Sequence, residues 1–139
     1  MKRWVYLAFL AAFFGARVGL AAESPDALAG EYRSALARKD LSALMTLVAF
    51  SADTQKHRAS MEARFRSRFG KEVVSARIVP FSTYESEYRA SLENGAKPVL
   101  EPRAWFVVEF RRDKIGEAML GTTDVLLVGI RNGSYYFSS

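Results

Sequence analysis

The chain has 139 residues, 20 of them Lys or Arg and 15 Asp or Glu, for a formal charge of +5, with one His and no Cys. Half of it is apolar and a quarter charged, the composition of a folded domain and not of a disordered segment or a coiled coil. The missing Cys excludes disulfides, thiol catalysis, iron–sulfur clusters and Cys-ligated zinc, and a lone His leaves little for a His-built metal site, so neither metal nor cofactor is expected.

Met1-Lys2-Arg3 is a positive start, residues 4–16 are an apolar run too short to span a bilayer comfortably, and Gly19-Leu20-Ala21 offers the small side chains a signal peptidase accepts. Residues 1–22 are therefore expected to be a secretory signal cleaved after Ala21 or Ala22, with Arg17 interrupting the run that an uncleaved anchor would need. No Cys follows to carry a lipid. Loss of Lys2, Arg3 and Arg17 leaves 17 basic side chains against 15 acidic ones, a balance that gives no general attraction to nucleic acid. Export without Cys points to a bacterial periplasmic or secreted protein, because small extracellular domains of animals usually rely on disulfides. Membrane contact is expected only through the signal segment before cleavage.

Residues 23–139 read as one domain, without repeat or linker. Ser24-Pro25-Asp26 opens a helix with a capping oxygen, a Pro in the first turn and an acid at the positive end of the dipole; Leu28, Tyr32, Ala35 and Leu36 form its buried stripe. Asp40 caps a second, short helix with Leu41, Leu44, Met45 and Val48 at helical spacing. Asp53 can cap a third, running to about Phe69 and ended by Gly70.

After Gly70 the apolar period falls to two and the residues become β-branched and aromatic. Strands are predicted over residues 73–81, 105–112, 117–130 (bending near Gly121) and 134–138, with a short helix over 84–94 and an extended stretch over 97–102. Arg112-Asp113-Lys114-Ile115-Gly116 reads as a loose turn, and Asn132-Gly133 as a two-residue hairpin turn, since both residues tolerate positive φ. The hairpin also accounts for the N-glycosylation pattern Asn132-Gly133-Ser134. Segregated helices and strands predict an α+β domain, with three N-terminal helices packed on one face of a curved antiparallel sheet.

With its opening helix, then Ala37-Arg38-Lys39-Asp40-Leu41-Ser42-Ala43-Leu44, and the ending Asn132-Gly133-Ser134-Tyr135-Tyr136-Phe137, the chain resembles the nuclear transport factor 2-like superfamily over residues 24–139. That resemblance implies a cone-shaped α+β fold, an internal pocket open at one end, and frequently a dimer built through the outer face of the sheet.

Asp124 alternates with Leu120, Thr122, Leu126, Val128 and Ile130, which places a carboxylate among aliphatics. Burial there would raise its pKa and suit a general acid or base, much as the ketosteroid isomerases of the superfamily use Asp and Tyr. The competing account is an Asp paired with an Arg across the sheet, or one at a wet strand bend. His57 shares a four-residue spacing with Met61, Phe65 and Phe69, which suits either a hydrogen-bonded or exposed first-turn His or a proton-transfer group at a pocket. Ser51, Ser60 and Ser67 lie near it without a nucleophile-elbow pattern.

Lys56, Arg58, Arg64, Arg66, Arg68 and Lys71 make the third helix basic all round, which describes a solvated helix better than an anion-binding stripe. Tyr84, Tyr88 and Trp105 each join a large apolar face to one polar handle and are the candidates for ligand contacts, with packing as the alternative. Trp105 is expected partly exposed on the outer sheet face. The expectation is a noncatalytic module that binds a small hydrophobic ligand or associates, as a homodimer through the sheet face. The alternative is an isomerase- or dehydratase-like enzyme moving a proton through Asp124 or His57.

Overall fold

The computed structural model describes residues 22–51 and 55–138; the expected signal, except its last residue, and the Asp53 cap lie outside them. The chain is α+β. It runs through α1 (Pro25–Ala37), α2 (Leu41–Thr46), β1 (Val48–Ala49), α3 (Gln55–Arg68), β2 (Val73–Pro80), a 3-10 turn (Phe81–Tyr84), α4 (Glu85–Glu93), β3 (Glu101–Ile115), β4 (Ala118–Arg131) and β5 (Ser134–Ser138).

Local chemistry sets the helix ends. The Ser24 side chain accepts the Ala27 N–H, and Asp40 accepts that of Ala43, both at 3.0 Å, so each satisfies a donor that the first turn leaves open. Gly70 follows α3 at φ 81°, a conformation that costs a glycine little.

The five strands pair in the order β1-β5-β4-β3-β2. Two departures from the expected sheet have physical causes. Val48 leaves the helical stripe predicted for it: α2 stops at Thr46, and Val48–Ala49 pairs in parallel with Phe137 and Ser138, so the sheet is not wholly antiparallel. The loose turn at residues 112–116 is instead strand. Asp113, Lys114 and Ile115 pair with Leu120, Met119 and Ala118, leaving a tight turn around Gly116 at φ 65°. The ladder steps from Phe110↔Thr122 to Asp113↔Leu120, so Arg111 and Arg112 together oppose Gly121; this bulge bends the strand pair where the bend was expected. The Asn132-Gly133 turn has φ 52° and 78°, as its sequence requires.

The three N-terminal helices share one face of the sheet, as expected, and a fourth lies over the other. On one face α1, α2 and α3 lay Leu28, Tyr32, Leu36, Leu44, Met61 and Phe65 against Phe106, Val108, Phe110, Leu126, Val128 and Phe137. Tyr32 sits at the centre, its ring 5.2 Å from Phe106, 5.9 Å from Phe137 and 6.2 Å from Phe65 in tilted or edge-on geometry, which the ring quadrupoles favour. The fourth helix stands off the opposite face, joined to the sheet through the 3-10 turn and separated from it by a groove. Strand alternation puts Trp105 there, since its neighbours Ala104 and Phe106 belong to the main core.

Candidate functional site: a groove beneath the fourth helix

Trp105 is buried at 8% exposure, not partly exposed as expected, because the 3-10 turn packs on its ring and α4 stands over it. Its ring stacks on Phe81 at 6.0 Å and 3°, Tyr84 meets it edge-on at 5.7 Å, and Tyr88 meets Phe81 edge-on at 5.3 Å. The indole N–H donates to the Phe81 carbonyl at 2.9 Å, which fixes the ring and leaves it no polar handle for a ligand.

This aromatic cluster walls a groove of about 310 Å³ between α4, the segment after it and the outer face of β3 and β4. Tyr88 and Leu92 come from the helix, Leu100 from the following segment, and Trp105, Val125 and Leu127 from the sheet. Alternate residues of β4 thus serve two apolar layers: Leu126 and Val128 enter the core, Val125 and Leu127 the groove. Leu100 is held against the sheet by the bare backbone of Gly129, where a Cβ would lie 2.5 Å from the Leu100 Cβ and 2.7 Å from the Glu101 carbonyl oxygen.

The three aromatic candidates therefore meet, in unequal roles. Trp105 and Tyr88 line the groove, and Tyr84 props Trp105 from behind. The sequence reading missed Leu100, Val125 and Leu127. The signal available was the second apolar face of β4, which a solvated sheet surface would not need.

Asp124 follows the structural account given for it. It is 4% exposed on the helix-covered face, and its Oδ2 and Oδ1 accept from Arg68 Nε and Nη2, both at 2.8 Å. The partner comes from α3, not from across the sheet. That bidentate pair holds the Arg68 guanidinium pKa above its usual value, chiefly through the hydrogen bond to Asp124. Beside the pair, the Tyr32 hydroxyl is fully buried with no hydrogen-bond partner, and its pKa is pushed well above the ordinary tyrosine value, first by burial and then by the Asp124 charge.

His57 is exposed in the first turn of α3, while Met61 and Phe65 are buried. A four-residue step overshoots a full turn by about 40°, so a stripe read at that spacing rotates away from the core. The groove beneath α4 and a second one, beside Leu36, Gly70 and Val73, both lack Asp124 and His57 among their walls. Among the described residues no group of three His, Asp or Glu could hold a metal ion, and no helix is long and apolar enough to cross a membrane.

No family model, no curated protein and no solved structure matches the chain.

Proposed function

We propose that this is a noncatalytic binding module that takes a small hydrophobic molecule into the groove beneath α4. The observation that carries the reading is the pairing of a largely apolar cleft of about 310 Å³ with an aromatic wall already locked by its own contacts. Small-molecule sites are preformed clefts of about 300–1,000 Å³ with few polar groups. The proton-transfer alternative has weaker support, because both oxygens of Asp124 are occupied by Arg68 and neither of the two grooves described above is lined by it. Three helices preceding a bent meander agree with the nuclear transport factor 2-like resemblance. The charged start and apolar run of residues 1–22 support export to the periplasm or medium.

Calorimetric titration with decanol, a neutral ten-carbon probe, tests the reading. Binding is expected in the wild type and not in Ala96→Trp, whose indole fills the groove from an exposed wall position. No uptake by the wild type, or equal uptake by both, refutes it.

A second reading, self-association, is favoured by one observation. Residues 111–121 project as an exposed hairpin arm beyond the end of β2, with Ile115 63%, Met119 56% and Leu120 54% exposed. A homodimer would use this arm and not the Trp105 region, which α4 already covers. Sedimentation velocity of the wild type against Ile115→Lys/Leu120→Lys decides: a dimer lost in the variant supports association, and a monomer in both removes it.

A further inference from the structure

Resting on the groove reading above, we infer that the groove's ligand is an amphiphile with a single anionic head, a carboxylate or sulfonate, seated at the Lys97 ammonium and the Tyr88 hydroxyl. Few polar groups at the groove's walls remain without a partner. The Trp105 N–H is spent on the Phe81 carbonyl, and the Ser91 hydroxyl on the Tyr88 carbonyl at 2.6 Å. Glu87 accepts the Ser86 hydroxyl at 2.8 Å and stands in the first turn of α4, where the helix dipole offsets a negative charge.

Lys97 has no such compensation. It follows the left-handed Gly95 (φ 91°) that ends the helical segment, lines the groove, and among the described residues enters no ion pair. Ser138, the remaining polar wall residue, has an interaction of its own, so beside the hydroxyl-bonded Glu87 carboxylate the groove presents two groups able to donate, an ammonium and a phenol. A bound molecule meets those donors with an acceptor, best a charged one. Its apolar body would lie over Trp105, Val125 and Leu127. A volume of about 310 Å³ suits a medium-length chain or a fused ring pair better than a two-chain lipid.

The test compares three ten-carbon probes, decanoate, decanol and decyltrimethylammonium, by calorimetric titration at neutral pH against wild type, Lys97→Glu, Tyr88→Phe and Ala96→Trp. Lys97 and Ala96 are exposed, so their variants leave the fold intact. Decanoate is expected to bind wild type about tenfold more tightly than decanol, the joint effect of one exposed charge pair and one hydrogen bond. Lys97→Glu should abolish that preference, Tyr88→Phe should reduce it by about threefold, and Ala96→Trp should remove binding of both.

Decanol bound as tightly as decanoate, a preference that survives Lys97→Glu, or tighter binding of the trimethylammonium probe would overturn the anionic head while leaving the groove intact as an apolar site. Binding of decanoate alone that persists in Ala96→Trp would place it elsewhere on the chain and overturn the assignment. Failure of all three probes would end the groove reading itself.

Discussion

Arg68 and Asp124, 56 positions apart, are joined by two hydrogen bonds of 2.8 Å that tie the last turn of α3 to the centre of β4. The arginine is 18% exposed and also lies 5.7 Å over the Phe110 ring, whereas the aspartate is 4% exposed. Removing one partner of such a pair is costly because the other charge stays behind, and the aspartate is the deeper of the two. Arg68→Met should therefore destabilise by about 3 kcal/mol. Asp124→Leu in the same chain should recover most of that loss, since a well-packed apolar pair is often as stable as a buried ionic one. Urea midpoints of the two variants measure the difference; a double variant as weak as the single one would mean that the pair orders the sheet beyond its own charges.

The neighbouring Tyr32 hydroxyl presents the opposite case, a buried polar atom without a partner. Tyr32→Phe removes only that atom and keeps the ring contacts with Phe65, Phe106 and Phe137, so it should leave stability unchanged or raise it by about 1 kcal/mol. The pH dependence has a definite sign. Burial, then the Asp124 charge, raise the folded-state pKa of Tyr32 above its unfolded value. The stability linked to this group is fully present below about pH 10 and is lost as pH rises from there towards the folded pKa, because the unfolded chain gives up its proton first. Stability curves of wild type and Tyr32→Phe should accordingly diverge above about pH 10, with the wild type falling more steeply; parallel curves would refute the linkage.

The groove depends on a contact with no side chain on one side. Gly129→Ala would drive a Cβ into Leu100 and the Glu101 carbonyl, a clash with little room to relax because Leu100 is buried. The expected cost is about 1–3 kcal/mol, as for other overpacked interiors. Because Leu100 lines the groove, decanol binding should weaken in step. A variant of wild-type stability that binds decanol normally would show that the segment after α4 adjusts independently of β4.

The local signals were legible where each depends on a few adjacent residues: the Ser24 and Asp40 caps, the period change after Gly70, the Asn132-Gly133 turn and the bend at Gly121. What eluded the sequence depends on partners far along the chain. Val48 fits a helical stripe until Phe137 arrives beside it as a strand. Lys114 and Asp113 suggest a turn until Met119 and Leu120 supply the paired backbone. Trp105 looked outward for want of any local hint that Phe81 and α4 would fold back over it. Asp124 showed that it needed a partner or a function; only the fold chose Arg68.

The hairpin arm marks where the folded body ends. Phe110, 3% exposed, and Ile115, 63% exposed, are five residues apart on the same strand, yet they should answer differently to substitution. Phe110 packs in the core and lies beneath the Arg68 guanidinium, so Phe110→Ala should cost about 3–5 kcal/mol. Ile115 and Leu120 are held by main-chain pairing with no helix above them. Lysine at both positions should change stability by no more than about 0.5 kcal/mol, and solubility should improve as exposed apolar surface is removed. Urea unfolding of the two variants side by side checks the contrast. A loss of several kcal/mol from the lysine pair would mean that the arm is already buried against something in solution, and sedimentation of the wild type would then identify it as a second copy of the chain.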